Sequence, residues 1–362
     1  MNDFIHFPLH LYEGSRQYVP DLSLDIRAQF SPRTNGGLEN SSVQAFVAYR
    51  DGNPVGRIAG IINRKANAKW NAKTVRFGMI DFIDDKEVSA ALLDAVAEWG
   101  KAAGMDNIQG PLGVTDFDKE GMLVEDFDRS GSMIDIYNYA YYPEHLEALG
   151  FEKAVDWVHV YVTLPDKLPE RYAKTARLCR EMFHMHVRKL TARELKGSYT
   201  DKLFNLLNTA YAPLYGFSSF NMDQARQFVA KYINVVDLNL MPIVENDKGE
   251  LLAMAVTMGS LSEALRKAKG RLLPLGWWYL LKSLKFKHEK GADLLLIAVD
   301  PKYQGLGLNA LIFEDLLPIY KKYGFEWAET GPQLEDNVKE LSQWKPMNPE
   351  IIKRRRCYKK ML

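Results

Sequence analysis

The 362-residue chain is 47% hydrophobic and 26% charged, and its 47 Lys and Arg against 46 Asp and Glu leave a formal net charge of +1. That length suits two domains with real cores, and the balanced charge argues against nucleic acid or an anionic membrane as the main partner. Two cysteines, Cys179 and Cys357, exclude a disulfide framework or a four-thiolate metal site and fit a reducing cytoplasm.

The first eight residues lack a basic region followed by an apolar run, so no secretory signal is expected. Strands at 43–49 and 55–62 flank the turn Asp51-Gly52-Asn53-Pro54 as a hairpin, and 74–83 alternates as a third strand. Asp84 and Asp85 then offer a cap for a helix from about 86 to 103, whose Val88, Leu92, Leu93, Val96 and Trp99 keep helical spacing up to Gly104. A short strand at 107–109 stops at Gly110-Pro111. Asp116-Phe117-Asp118-Lys119-Glu120-Gly121 begins like a calcium loop, but Phe127 stands where the bidentate Glu is needed, so it reads as a solvated acidic loop suited to a cationic amine. A strand at 157–164 is broken by Pro165-Asp166-Lys167-Leu168-Pro169, which sets the expected division into domains 1–165 and 166–362.

In the second half, His184 and His186 share one side of a strand near Cys179, too few ligands for a metal, and none is expected. Segments 238–244 and 250–258 form a hairpin about Asn246-Asp247-Lys248-Gly249. The apolar stretch 272–281 is too short to span a bilayer and is interrupted by Pro274 and Gly276; Trp277 and Trp278 suggest either a membrane-surface contact or, the favoured reading, a helix packed on a sheet. Segment 294–299 is a doubly covered strand. A helix at 308–323 ends at Gly324, and a strand at 327–330 stops at Gly331-Pro332. Helix, glycine, short strand and Gly-Pro thus occur in both halves, the signature of a duplicated domain. The terminal run Lys353-Arg354-Arg355-Arg356 and Lys359-Lys360 alternates around Ile352, Cys357 and Tyr358 as the exposed face of a last strand, not as a nucleic-acid surface.

The chemistry concentrates where the buried strand enters Asp300-Pro301-Lys302-Tyr303-Gln304-Gly305-Leu306-Gly307-Leu308-Asn309. Glycines let N–H groups crowd together and the helix N-terminus adds partial positive charge, a cradle for pyrophosphate. Ala310 takes the third glycine position of a dinucleotide fingerprint, and no G-x-x-x-x-G-K-[ST] loop exists.

Gln304 to Asn309 resembles the acyl-CoA loop of the GNAT N-acyltransferase superfamily, [Q/R]-x-x-G-x-[G/A], with Gln304 and Gly307 on its first and central positions and Asn309 departing from the last. The resemblance implies two α/β domains with mixed, mostly antiparallel sheets flanked by helices. It implies backbone roles for Ile297, Ala298 and Val299 along the pantetheine arm, and phosphate contacts from Gln304, Gly305, Leu306, Gly307, Leu308 and Asn309. Asn337 matches an asparagine near the pantetheine–phosphate region, and Trp344 stands where many members carry a proton-donating tyrosine. Glu329 is the expected general base. The first half resembles a degenerate copy, because Ile83-Asp84-Asp85-Lys86-Glu87 would repel a pyrophosphate. The expected reaction is transfer of an acetyl or other acyl group from acyl-CoA to a primary amine of a small molecule in a bacterial cytoplasm, without metal, nucleic acid or membrane span. Alternatives are Fem-like aminoacyl transfer from charged tRNA and a non-enzymatic acyl-CoA sensor.

Overall fold

The computed structural model describes residues 1–115 and 117–362, so Asp116 of the acidic loop lies outside the described residues. The strands are β1 (Ser41–Arg50), β2 (Asn53–Asn63), β3 (Thr74–Phe82), β4 (Asn107–Gly110), β5 (Met122–Leu123) and β6 (Glu152–Thr163). They continue as β7 (Met185–Lys189), β8 (Pro242–Asn246), β9 (Leu251–Gly259), β10 (Gly291–Val299), β11 (Trp327–Thr330), β12 (Gln333–Leu334) and β13 (Glu350–Met361). Two compact units emerge: Met1–Val158 with Ser262–Leu280 and Ile352–Leu362, and His159–Leu261 with Leu281–Ile351.

In the first unit the strand order is β1-β2-β3-β4-β13. β1, β2 and β3 are antiparallel neighbours, whereas β3 and β4 run parallel only from Thr74↔Asn107 to Arg76↔Gln109. The crossover helix Lys86–Ala102 buries Val88, Leu92, Leu93 and Val96, each of which stabilises by about 1.5–3 kcal/mol relative to exposure, in one cluster with Ile58, Phe77 and Phe82. Asp85 caps it by accepting the Glu87 and Val88 N–H groups and pairs with Arg50 at 2.6 Å. Beyond Arg76 the gap beside β3 is filled by its own chain. Leu112 N–H donates to the Phe77 carbonyl, Asn63 and Arg76 bond the Val114 and Gly113 carbonyls, and a Cβ at Gly78 would lie 2.6 Å from the Leu112 oxygen. The segment Ser262–Leu280 is tied in by Arg266, which donates to the carbonyls of Tyr18 and Gly131.

The basic terminal run is exposed as expected at Lys359 and Lys360 but not over Lys353 to Arg356. Lys353 and Arg355 point inward, 3% and 1% exposed, and meet Asp135 at 3.0 and 3.3 Å. Arg356 and Arg354 flank them and pair with Asp156 at 2.9 and 3.5 Å. Burial of these cations is tolerable only because carboxylates wait for them, and those carboxylates lie 198 to 218 positions away in the chain where they accept hydrogen bonds from Lys353, Arg354 and Arg356.

In the second unit the order is β11-β10-β9-β8-β7, with residues 161–163 of β6 paired to β11. β8 and β9 form the expected hairpin, but it starts late. Asp237 caps a 3-10 turn, Leu238–Leu240, by accepting the Asn239 N–H, so the strand begins only at Pro242. Helices Glu170–Phe183 and Leu308–Tyr323 share a core in which Ala176, Cys179, Leu311, Leu316 and Tyr320 meet Val244, Ala253 and Ala292. This unit repeats the plan of the first: an antiparallel hairpin, a strand, a crossover helix, and a short parallel strand ended by Gly-Pro.

Candidate functional site

β10 is paired on both sides only over its first half. It runs parallel to β11 from Gly291↔Trp327 to Leu294↔Thr330, and Gly331 N–H adds a last bond to the Leu294 carbonyl. At Leu295 the register against β9 shifts, and β10 continues with β9 alone through Val299↔Ala253. A bulge there bends the strand away from its neighbour, and Gly331-Pro332 carries the other chain off. The edge of Ile297, Ala298 and Val299 is therefore not laddered to β11. Part of it is used locally, since Tyr211, the last residue of helix Ser198–Tyr211, donates its hydroxyl to the Ile297 carbonyl at 3.1 Å.

The loop begins where β10 ends. Asp300 caps the 3-10 turn Pro301–Tyr303, and the Gln304 amide donates back to the Val299 carbonyl at 3.3 Å. Gly305 and Gly307 have φ of 85° and 86°, left-handed values that favour glycine. Around Gly305 a Cβ would meet nothing within 4 Å, whereas at Gly307 it would lie 2.2 Å from Thr175 Cγ2 on helix Glu170–Phe183. Gly307 opens helix Leu308–Tyr323 without a side-chain cap. Ala310 N–H donates to the Gly307 carbonyl at 2.9 Å, while the N–H groups of Leu308 and Asn309 precede any intrahelical acceptor. Asn309 turns its side chain aside to donate to Gln343 Oε1 at 3.2 Å.

That last bond leads to a polar chain absent from the sequence reading. Gln343 donates to Glu340 Oε1, which also accepts from Gln333 Nε2 at 3.4 Å. Burial pushes the Glu340 carboxyl up to about 7, with the Gln343 hydrogen bond pulling it partly back. Asn337 caps the short helix Val338–Ser342 by accepting the Glu340 N–H. Trp344 is buried against Phe313, with its indole N–H given to Gln333 Oε1 at 3.3 Å. Glu329, 5% exposed on β11, lies 3.2 Å from Nδ1 of the fully buried His159, and Asp293 is its register partner on β10. His184 closes helix Glu170–Phe183 and faces Asp247 at 3.7 Å, while His186 lies on β7.

The corresponding stretch of the first unit offers no such cradle. Its helix start is occupied by the Asp85 carboxylate and its strand gap by residues 112–114. Ser89, His145 and Asp84 do line up there, with Ser89 Oγ 3.0 Å from Nδ1 and Asp84 3.0 Å from Nε2 of the imidazole. Ser89 is fully buried and its hydroxyl also reaches the Lys86 carbonyl, so the line fastens two helices and presents no nucleophile.

No protein-family profile matches the chain. It is 27% identical over 371 residues to Protein YghO of Escherichia coli (strain K12), covering 99% of this chain and 92% of that one. It is 29% identical over 306 residues to the bacterial ceramide synthase of Caulobacter vibrioides (strain NA1000 / CB15N), covering 83% of this chain and 78% of that one. Among solved structures, a tandem GNAT protein from the clavulanic acid biosynthesis pathway superposes with a TM-score of 0.58 at 12% identity, over 99% of this chain and 95% of that one. This is a tandem GNAT fold. The two GNAT-like units share one plan and differ at the place that matters. In the second, β10 is left unpaired to β11 beyond Leu294, beside a glycine loop; in the first, residues 112–114 fill the corresponding place.

Proposed function

We propose that the second unit binds acyl-CoA and transfers its acyl group to a primary amine. The observation that carries this reading is the half-paired β10, whose 297–299 edge runs into the Gly305–Gly307 turn and an uncapped helix start. An extended amide-bearing arm can add to such a strand edge, and a pyrophosphate is favoured at such a helix start. Gly305, with open space around it, fits close approach by a ligand. Acyl-CoA supplies a thioester carbonyl; the chain supplies position, charge and protons.

In this reading Glu329, oriented by His159, takes the proton from the amine as nitrogen bonds to the carbonyl carbon. Backbone N–H groups near Val299 hold the oxygen as charge develops. As the carbon–sulfur bond breaks, Glu340 gives its proton to the departing sulfur, a role an indole cannot fill. A carboxyl titrating near 7 is suited to that donation at neutral pH. Ile297, Ala298, Val299, Gln304, Leu306, Leu308, Asn309 and Asn337 are proposed to line the cofactor arm and phosphates.

The similarity to a ceramide synthase supports a further reading of the acceptor. Ceramide is the amide of a long-chain amino alcohol, so we favour a lipid amine over a small polar one, and a fatty acyl-CoA over acetyl-CoA. The test is calorimetric titration of the full chain with acetyl-CoA and palmitoyl-CoA, beside Gln304→Ala and Gly307→Glu, followed by turnover against polar amines and a long-chain amino alcohol. Binding lost in both variants and acylation of the amino alcohol are expected. No binding of either thioester by the wild type overturns the reading; binding without turnover on any amine makes the protein a sensor.

A further inference from the structure

A surface of the first unit, outside the proposed site, joins apolar tips to unopposed cations. Residues 269–275 link helices Ser262–Ala268 and Gly276–Lys285. Leu273 is 76% exposed, Leu275 54%, Trp277 48% and Trp278 42%, far beyond what a helix packed on a sheet would leave in water. Gly276 faces inward and the indoles face out. Trp277 Nε1 donates to the Pro274 carbonyl at 3.0 Å, and the two indoles meet edge to face at 5.9 Å, so the apolar knuckle is preformed. Leu24, 60% exposed, belongs to it through the bond from Ser23 N–H to the Gly270 carbonyl.

Cations border this knuckle. Lys269 and Arg271 are exposed, and among the described residues neither has a carboxylate partner. Lys267 is satisfied by Glu263 at 3.9 Å, and Arg27 bonds Asn2. His6 is held below its usual pKa by burial and then by Arg271, His10 and Arg27, with Asp3 the one opposing charge, so the local field is positive. Asp25 lies on the helix of Leu24, and Asp21, whose backbone oxygen sits beside Gly270, pairs its carboxylate with Lys119 at 2.8 Å.

We propose that this knuckle docks the protein on an anionic lipid bilayer. Exposed tryptophans and leucines beside lysine and arginine are the composition that settles at the interface between headgroups and acyl chains. The cations add attraction to anionic lipid. A second copy of the chain is the poorer occupant, because a two-fold contact would set Lys269 and Arg271 against their own equivalents. The contact is superficial, since no helix among the described residues is long and apolar enough to cross a membrane. A chain with net charge +1 can do this because the cations are gathered, not numerous. The inference stands independently of acyl transfer.

The test is flotation of the full chain with vesicles of neutral phosphatidylcholine and of phosphatidylcholine with phosphatidylglycerol. Wild type, Lys269→Glu/Arg271→Glu and Trp277→Ser/Trp278→Ser are compared, with thermal melts and far-ultraviolet circular dichroism confirming that each is folded. The wild type is expected on anionic vesicles with blue-shifted tryptophan emission, and each double variant is expected to bind at least about tenfold more weakly. Absence of wild-type flotation, or undiminished flotation of both folded variants, overturns the proposal. So does a wild-type dimer that the tryptophan substitutions dissociate while lipid binding is nil.

Discussion

Gly307 and Gly305 have nearly the same backbone and opposite surroundings, and the difference can be measured. Alanine at either must hold φ near +85°, which costs roughly 1–2 kcal/mol for a residue with a Cβ. At Gly305 nothing else changes, because no atom lies within 4 Å of the new carbon. At Gly307 the new carbon would sit 2.2 Å from Thr175 Cγ2, more than an ångström inside ordinary contact. Helix Glu170–Phe183 must then move or the loop must distort, an overpacking cost of about 1–3 kcal/mol more. Removing the obstructing methyl with Thr175→Ala leaves Thr175 Cβ as the nearest atom at 3.7 Å, which is normal contact. The double variant should therefore fall back to the stability of Gly305→Ala. Urea unfolding of the wild type, both glycine variants, Thr175→Ala and the double variant gives the cycle, with an expected coupling of about 1–3 kcal/mol. Equal losses for Gly305→Ala and Gly307→Ala, or no recovery with Thr175→Ala, would refute the packing of the loop on that helix.

Glu340 yields a pH dependence whose sign is fixed. Its folded pKa of about 7 lies above the ordinary 4.5, so its contribution to stability is complete below about pH 4.5 and lost as pH rises through 7. Glu340→Gln should flatten this slope in melts between pH 5 and 8, by up to about 3 kcal/mol; parallel wild-type and variant profiles would count against a buried carboxyl. Glu329→Gln should lower acyl-transfer kcat by about 10²–10⁴ while acyl-CoA titration stays unchanged, and an unchanged rate would remove Glu329 from the chemistry. Asp135→Ala strands the buried Lys353 and Arg355 and should cost about 3–5 kcal/mol in denaturant unfolding. A loss below 1 kcal/mol would mean that those cations have other support.

The elements themselves were legible because short-range rules govern them. The helix 308–323 and the strand 327–330 appear at the expected bounds, fixed by apolar spacing, glycine ends and the Gly-Pro stop. The hairpin before β10 shifted by a few residues because Asp237 caps a 3-10 turn, a local bond that residue patterns at 238–244 do not advertise. Side-chain direction in the last strand went unread for a different reason. Alternation says which residues share a face, but it cannot say that Asp135 awaits Lys353 and Arg355, or that Asp156 awaits Arg354 and Arg356.

By itself the sequence determined the duplicated α/β plan and the glycine loop, since both rest on periodicity and on residues whose conformational limits are intrinsic. Tertiary structure decided which of the two strands keeps an edge that its own neighbouring chain does not fill, because that depends on where residues 112–114 and Gly331 lead that chain. It also brought Glu340, Gln343 and Asn309 into one polar chain and turned Trp277 and Trp278 outward. Those outcomes depend on packing between residues far apart in the chain, and no local pattern encodes them.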